Sequence, residues 1–486
     1  MPLIATTNSA HYLTKAHFRD TCEQSCDVNC VRGSIPDYVR GTYLFNGPAN
    51  FQLDKQGSQY RNWLDGDGMV ASLRIDHGSL TFRSRYVQGR KFVRETELNR
   101  RVYRTFGTAF VGDRLKRGIG TESPYNVSVF QYRGRMLAFG EQSLPMELDS
   151  ETLETVTPGN AYDFNGALNE ASPFSAHPKI DSRTGELLNF GVFYSPKKPV
   201  LVYYRFDQNG SLACRTNVPI DMPCSLHDFA ASEHYVVFYL SPYILDSSKL
   251  IERGSSTMDS LSWEPERGSQ ILILDRESGQ VVARISMEGR YCLHTISAFE
   301  SPSMLIVDLI EFDRPMYDQY QLEDLFFDAP FGQPVRYKID LTCFTIVGRN
   351  SMPYDKAPDF PAIDCRLESR EYNHLWMLGI ANTGSRGRKF FDQLVHLKWS
   401  EPDRPDIWSC PRGQFLGSEP VFIPDPNSDG DGVVVCHLLD AANSKSQFAF
   451  FKSDCIAAGP IALVAIPRPV HLGFHAIFLP ANCPLT

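Results

Sequence analysis

Four of the twelve histidines in this chain lie in short segments typical of strand ends, and together they could bind a metal ion. They are His177 in PFSAHPKID, His227 in CSLHDFAASE, His294 in YCLHTISAFE and His475 in HLGFHAIFLP. Gaps of 50, 67 and 181 residues separate them, whereas a helical motif such as H-E-x-x-H places two ligands within one turn. The spacing therefore indicates four structural units that each contribute one imidazole. Four neutral imidazoles bring no protein charge, which suits a redox metal with open coordination positions.

The other histidines are better explained by structural roles. A single histidine in an apolar strand is more often a packed residue than a ligand, so spacing alone leaves the metal site a hypothesis. The strongest competitor is His471, because residues 471 and 475 of an extended segment face the same side. The remaining histidines lie in polar surroundings or inside strands: His11, His17, His77, His234, His374, His396 and His437.

The elements that must position these histidines are β-strands. Short apolar runs such as LVYYRFDQNG, HYVVFYLSP, SMLIVDLIEFD, QLVHLKWSEPD and QFAFFKSD are separated by Gly, Pro, Asn and Asp. DQNG at 207–210 and DRESGQ at 275–280 are typical of hairpin turns. Helical periodicity is confined to roughly 14–30 and 318–327. Many short strands predict a sandwich, a barrel or a propeller, and one ligand every 50 to 70 residues fits one propeller blade per ligand.

Composition narrows the function classes. The net charge of −9 and the lack of a basic stripe argue against a nucleic-acid partner. The sequence contains no run of 18 apolar residues, so no membrane-spanning helix is expected. The N-terminal segment also lacks the pattern of a signal peptide. We therefore expect a cytoplasmic protein with reduced cysteines. No low-complexity linker divides residues 1–486, which predicts a single domain.

Cys22, Cys26 and Cys30 follow each other at intervals of four residues, which would place them on one face of a helix. A packed face is the simplest interpretation. Acylation at a membrane surface and metal binding are the alternatives, although this spacing is not a standard zinc motif.

Eight ordered fragments resemble the carotenoid cleavage oxygenase family, which includes stilbene dioxygenases and the vertebrate retinoid isomerase. The fragments are GSIPDYVRGTYLFNGP at 33–48, WLDGDGM at 63–69, FGEQSLPMELD at 139–149, AHPKID at 176–181, HDFA at 227–230, DFPAID at 359–364, SEP at 418–420 and GFHAIF at 473–478. The resemblance implies a seven-bladed β-propeller with a cap of loops and short helices over an axial Fe(II). It assigns His177, His227, His294 and His475 as the iron ligands.

In the family, three glutamates orient three of the ligands, since a ligating histidine donates its second N–H to a carboxylate or carbonyl. The matching positions are Glu141, Asp359 and Glu419. Asp359 departs from the pattern, because the family has Glu there. Its shorter side chain requires that the backbone move closer, that a water bridge the gap, or that the histidine be held less firmly.

Further departures concern the surroundings of the iron. Phe45 stands where the family often has Arg, and Ser297 replaces an Asn, with Glu300 kept. Val127 replaces a Thr that several microbial members carry near the open iron position, and the retinoid isomerase also has Val. Gly140 stands where hydroxystilbene cleavers have a Lys that binds the phenol, which argues for a long apolar substrate.

The resemblance thus implies cleavage of a C=C bond of a carotenoid or apocarotenoid by O2. Aromatic residues next to the ligand motifs are candidates for the pocket wall together with Val127: Phe174, Phe229, Phe299 and Phe474. Apolar segments at 105–112 and 322–334 could attach the protein peripherally to a membrane surface.

Three alternatives stay open: stilbene-type or isoeugenol-type cleavage, retinoid-type isomerisation without O2, and a non-catalytic propeller that binds partners. The sequence leaves open which double bond is cut, the substrate's length and stereochemistry, and the oligomeric state.

Overall fold

The computed structural model describes Leu13 and residues 21–52, 59–118, 120–381, 389–428 and 430–481. Across these residues the regular structure is almost entirely antiparallel β-sheet, arranged as the seven blades of a β-propeller. This confirms the propeller predicted from the resemblance. A cap of loops and short helices over the axis, and a single domain over residues 1–486, stay predictions.

The first three blades are built from strands that are mostly consecutive in the chain. The first contains β1 (Gln24–Asp27), β3 (Gly41–Asn50), β4 (Asp67–Asp76), β5 (Ser79–Tyr86) and β32 (Ala476–Pro480). The second contains β6 (Ser128–Tyr132), β7 (Arg135–Phe139) and β8 (Met146–Leu148). The third contains β9 (Lys179–Ile180), β10 (Leu187–Phe193), β11 (Val200–Phe206) and β12 (Leu212–Pro219).

The other four blades follow in chain order. The fourth contains β13 (Ala230–Ala231), β14 (Tyr235–Leu240), β17 (Ser269–Asp275) and β18 (Val281–Met287). The fifth contains β19 (Tyr291–Ser301), β20 (Met304–Phe312), β21 (Gly332–Asp340) and β22 (Ile346–Ser351). The sixth contains β23 (Asp359–Ala362), β24 (His374–Gly379), β25 (Gln393–Lys398) and β26 (Asp406–Ser409). The seventh contains β2 (Asn29–Gly33), β27 (Gln414–Leu416), β28 (Val421–Pro424), β29 (Gly432–Asp440), β30 (Lys445–Lys452) and β31 (Pro460–Ile466).

A few elements lie outside the blades. They are the hairpin of β15 (Tyr243–Leu245) and β16 (Leu261–Trp263), and the helices α1 (Arg90–Leu98) and α2 (Ser247–Ile251). Short 3-10 helices span Trp63–Asp65, Met258–Ser260, Pro265–Arg267, Tyr317–Tyr320, Cys365–Leu367 and Ile456–Ala458.

Strands from both ends of the chain close the ring. The late strand β32 pairs with β3 of the first blade, and the early strand β2 pairs with β31 of the last blade. The backbone N–H of Asn46 in β3 donates to the carbonyl of His475 at 3.1 Å, just before β32 begins. Ring closure therefore fixes the fourth histidine and explains why 181 residues separate it from the third.

Burial changes from the middle to the edge of each blade. In β20 every residue after Met304 is buried, whereas the edge strand β12 alternates between exposed and partly buried residues. Middle strands are covered by the neighbouring blades on both faces, which requires continuous apolar runs. This is why the apolar runs of the sequence correctly predicted β11, β14, β20, β25 and β30.

The predicted hairpins are confirmed and the predicted helices are largely wrong. DQNG connects β11 to β12 and DRESGQ connects β17 to β18. The segment 318–327 contributes only the 3-10 helix Tyr317–Tyr320. Within 21–30, residues 24–27 lie in β1 and residues 29–30 lie in β2, while 14–20 lie outside the described residues.

The three cysteines therefore do not share a helix face. Cys26 pairs with Phe82 across β1 and β5, and Cys30 pairs with Val464 across β2 and β31, while Cys22 is exposed before β1. Pairing with the first and last blades overrides the four-residue spacing in this segment.

Asp67 of the WLDGDGM motif belongs to a buried cluster of charged residues that joins β4 to α1. The Lys91 ammonium lies 2.6 Å from Asp67 and 3.1 Å from Glu95, and the Arg101 guanidinium lies 2.9 and 3.0 Å from the same carboxylates. The Lys91 side chain is completely buried. The motif therefore fixes the first blade against α1.

Replacing Lys91 by methionine is expected to destabilise the fold by about 3–5 kcal/mol, because two buried carboxylates would share one cation. Urea unfolding measures the change in free energy. Arg74→Met is the control, since Arg74 and Glu151 form an exposed pair and such pairs contribute roughly 0–1 kcal/mol. Equal losses for the two variants would contradict the importance of the buried cluster.

Candidate metal centre

The four predicted ligand histidines meet at the propeller axis. Their ligating atoms lie within 4.8 Å of one another, and Nε2 of His177 lies 2.9 Å from Nε2 of His227. His177 precedes β9, His227 precedes β13, His294 lies in β19, and His475 precedes β32. His177, His227 and His294 therefore lie in or just before the first strand of a blade. His475 lies just before β32, the strand that closes the ring. His471, the sequence competitor, is not in this group.

The environment keeps at least one of these imidazoles neutral. Burial lowers the pKa of His177 well below its ordinary value, and the imidazoles of His227, His475 and His294 lower it further. A neutral imidazole offers a ring-nitrogen lone pair, which a metal ion requires. The site is thus prepared for a cation rather than for an anion.

The residues present fit a metal ion. The Nε2 atom of His294 is buried and has no hydrogen-bond partner, and it belongs to the group of ring nitrogens that converge at the axis. A buried polar atom without a partner is costly unless a ligand satisfies it. An all-imidazole donor set suits Zn, Cu, Fe or Ni.

Carboxylates flank three of the histidines at the positions expected from the sequence. Nδ1 of His294 lies 2.5 Å from Asp359 Oδ1. Nδ1 of His227 lies 2.9 Å from Glu141 Oε1, and Nδ1 of His475 lies 3.4 Å from Glu419 Oε2. Glu419 Oε2 also accepts the backbone N–H of Ala476 at 3.0 Å, which holds it at the start of β32.

The short Asp359 reaches His294 from an irregular stretch of backbone. Phe360 adopts a left-handed conformation with φ of 52°, and the register between β23 and β24 shifts between Asp359 and Ala362. Such a bulge redirects a side chain and bends its strand. At 2.5 Å the contact between Asp359 and His294 is direct, and the expected shift of the backbone relative to the family stays a prediction.

A fourth carboxylate lies beside the centre, and sequence reasoning missed it. Asp228 follows His227, is 5% exposed, and its Oδ1 lies 3.6 Å from Nδ1 of His177. Although burial opposes ionisation, the ammonium of Lys179 at 3.0 Å holds the pKa of Asp228 below its ordinary value. Asp228 is part of the HDFA motif, and its position directly after the ligand His227 could have indicated a role at the metal centre.

A pocket with about 770 Å³ of empty space, including its open mouth, adjoins the histidines. The wall near the histidines is apolar and consists of Val127, Leu293, Phe360 and Phe474. The lining also includes the polar residues Thr105, Thr121, Glu122 and Ser123.

Only two of the five predicted wall residues line this pocket, namely Val127 and Phe474. Phe174, Phe229 and Phe299 are not among its lining residues, and their side chains pack in blade interiors. Phe174 stacks on Phe139, and Phe229 packs against Phe190 and Phe238. Phe299 packs against Tyr372 and receives the Arg336 guanidinium 5.3 Å from its ring.

The sequence also gave no indication of several wall residues that lie outside the ligand motifs. Tyr317 and Tyr320 line the pocket from a short 3-10 helix, and Phe106 lines it from the segment after α1. The Phe106 and Tyr317 rings meet with centroids 5.1 Å apart. Their place near the axis depends on how these connections fold over the blades.

Two other departures from the family pattern have structural explanations. Phe45 is fully buried, with its ring stacked 5.5 Å from His437 and 5.0 Å from His471, so an apolar ring replaces the usual cation there. At Gly140 a Cβ atom would lie 2.0 Å from Ser123 Oγ. A lysine therefore does not fit at Gly140 unless Ser123 and its loop move.

Comparison with known proteins agrees with this geometry. A profile of the retinal pigment epithelial membrane protein family matches residues 15–480. Isoeugenol monooxygenase of Pseudomonas putida is 25% identical, over 93% of this chain and 94% of that enzyme. Apocarotenoid-15,15'-oxygenase of Synechocystis is 26% identical, over 91% of this chain and 92% of that enzyme.

The fold is also that of a solved structure, the cobalt-substituted apocarotenoid oxygenase of Synechocystis. The TM-score is 0.85 at 24% identity, with 96% of this chain and 98% of that chain covered. The family match extends over nearly the whole chain, and the axial group of four histidines lies within it. The chain therefore belongs to the retinal pigment epithelial membrane protein family, the family of the carotenoid cleavage oxygenases.

Proposed function

We propose that this protein is a non-haem Fe(II) dioxygenase that cleaves a C=C bond of a carotenoid or apocarotenoid with O2. Both atoms of O2 enter the products, and the C=C bond is replaced by two C=O bonds, giving aldehydes or ketones. The observation that carries the proposal is the convergence of four imidazole nitrogens within 4.8 Å beside an apolar pocket. Iron, when bound, supplies the redox chemistry for O2.

The protein itself would hold the iron, orient the substrate and exclude water from the pocket. His177, His227, His294 and His475 would hold the iron without adding charge. Val127, Leu293 and Phe474 present an apolar wall against which a conjugated chain can lie next to the iron. Fixing one double bond in that position contributes to catalysis because the reacting groups no longer need to find each other. The reaction needs no protein acid or base.

The mixed apolar and polar lining of the pocket suggests a substrate that is apolar at the reacting bond and carries a polar group elsewhere. Glu122 belongs to the lining and is 3% exposed. Burial raises the pKa of Glu122, whereas the ammonium of Lys116, 3.7 Å from its Oε1, opposes that shift. An apocarotenoid with a terminal hydroxyl group could donate a hydrogen bond to this carboxyl group.

Replacing Glu122 by leucine is expected to raise KM for a hydroxylated apocarotenal by about 10-fold, which corresponds to one lost hydrogen bond to a charged group. KM for the same apocarotenal without the hydroxyl should stay within about twofold, and this substrate is the internal control. Steady-state kinetics with the two substrates give the answer. Equal changes in the two KM values would contradict a contact between Glu122 and the hydroxyl.

Peripheral membrane attachment is part of the proposal because polyenes partition into membranes. Among the described residues, no helix has the length and hydrophobicity to cross a bilayer. Val111 and Phe331, which belong to the two apolar segments expected to attach, have exposed side chains. Exposed apolar residues near a pocket mouth could insert into a bilayer surface without spanning it.

The experiment that tests the proposed function incubates the iron-loaded protein with carotenoids, apocarotenals and resveratrol, and measures product masses. Aldehyde fragments from a carotenoid or apocarotenal support the proposal. Cleavage of resveratrol alone would favour the stilbene-type alternative. A product with unchanged mass that forms without O2 would favour the isomerase alternative, and no conversion of any substrate would favour a binding protein.

A further inference from the structure

Asp228 lies at the centre of a buried network just behind the metal centre. Its Oδ2 accepts the backbone N–H and the hydroxyl of Thr295, at 2.9 and 2.8 Å. Its Oδ1 accepts the backbone N–H of Phe229 at 2.8 Å and lies 3.0 Å from the ammonium of Lys179. With only 5% of its surface exposed, Asp228 is a buried carboxylate with contacts at both oxygens.

Each contact of Asp228 leads to a segment that carries a ligand histidine. Thr295 directly follows His294, and Lys179 lies two residues after His177. Asp228 itself directly follows His227. One carboxylate therefore joins the third, fourth and fifth blades at the points where they present their imidazoles. A shift of Asp228 would move three of the four ligands relative to one another.

Asp228 also places a carboxylate beside Nδ1 of His177. The other three histidines have Glu141, Asp359 or Glu419 beside Nδ1. At His177 the neighbouring carboxylate is Asp228, whose Oδ1 lies 3.6 Å from Nδ1. This distance exceeds a hydrogen bond, so Asp228 acts on His177 through its charge and through Lys179 on the same strand.

We propose that Asp228 is a positioning residue of the metal centre, which fixes the geometry of three ligand segments and places a negative charge beside His177. The proposal rests on the metal site of the proposed function but not on the substrate. The ammonium of Lys179, 3.0 Å from Oδ1, balances the negative charge of the carboxylate.

The test is Co(II) binding by the purified apoprotein, measured by calorimetry and by the visible absorption of the Co(II) complex. Asp228→Asn keeps the shape of the side chain and removes its charge. We expect the Kd for Co(II) to rise about 10- to 100-fold, as for other outer partners of metal ligands, and the absorption bands at saturating Co(II) to shift.

Asp308→Asn is the matched control. Asp308 is also fully buried, accepts two hydrogen bonds from Arg336 at 2.8 and 2.7 Å and one from Tyr372 at 2.6 Å, and does not belong to the histidine group. A loss of stability common to both variants would be structural. Only Asp228→Asn should change the Kd and the spectrum of the Co(II) complex.

A Thr295→Val variant keeps the test decisive if Asp228→Asn does not fold, because it removes one hydroxyl donor and leaves both charges in place. Its Kd should rise about 3- to 10-fold, as expected for the loss of one typical hydrogen bond. If the folded variants bind Co(II) with the wild-type Kd and spectrum, the role of Asp228 is overturned. A wild-type protein that binds no Co(II) would overturn the metal centre as well, whereas wild-type binding without substrate cleavage would contradict only the proposed reaction.

Discussion

The His227→Ala variant is expected to lose metal binding and turnover together, with activity reduced by well over about 100-fold, more than an outer partner of a ligand contributes. His227 faces His177 at 2.9 Å between their Nε2 atoms and contacts Glu141 on its other side. Its removal leaves three imidazoles and an unpaired carboxylate at the axis. Iron content after reconstitution and the initial rate of product formation measure the effect.

His471→Leu is the matched control for this experiment. His471 is buried and lies four residues before His475, but its ring packs 5.0 Å from Phe45 instead of joining the ligand group. Its replacement by a side chain of similar size should leave the iron content unchanged. A His227→Ala protein that is active without iron would be incompatible with the metal centre described above.

The Asp359→Asn variant is expected to lower metal affinity or activity by about 10- to 100-fold. The carboxylate of Asp359 is completely buried and lies 2.5 Å from Nδ1 of His294. An amide has the same shape but lacks the charge that makes His294 a stronger donor. Competition with a metal chelator measures the affinity, and the initial rate of product formation measures the activity.

Asp364→Asn provides the comparison within the same segment. Asp364 is also mostly buried, but its Oδ1 accepts the backbone N–H of Arg366 at 3.0 Å and it has no part in the histidine group. We expect wild-type metal affinity for this variant. If Asp359→Asn and Asp364→Asn gave the same metal affinity, the contact between Asp359 and His294 would not contribute to metal binding.

The ligand set could be predicted from the sequence because His177, His227 and His475 lie in fragments that resemble the family, and His294 lies in a similar strand-end segment between two of them. The propeller fold then brings these segments together, and each lies in or next to a strand, as its sequence predicted. The sequence predicted Asp359 at this position but not the irregular backbone around it, since the left-handed conformation of Phe360 is not visible in the residue types. A bulge is a property of how β23 pairs with β24.

The pocket wall was harder to predict because side-chain direction does not follow from distance along the sequence. In β19, register shifts between Cys292 and Ser297 interrupt the alternation of faces, so that counting from His294 does not give the face of Phe299. Tyr317 and Tyr320 reach the wall through a connection that has no family motif. Asp228 was visible in the sequence, but its partner Thr295 comes from another blade.

Isotope labelling tests the central claim most directly. The iron-loaded protein is incubated with an apocarotenal under labelled dioxygen in unlabelled water, and the masses of both products are recorded after a short reaction. The proposed cleavage predicts two carbonyl fragments whose combined composition equals the substrate plus one O2, with label at both newly formed carbonyl groups before exchange with water. Conversion of the substrate to a product of unchanged mass, or cleavage fragments that take their oxygen only from water, would contradict it.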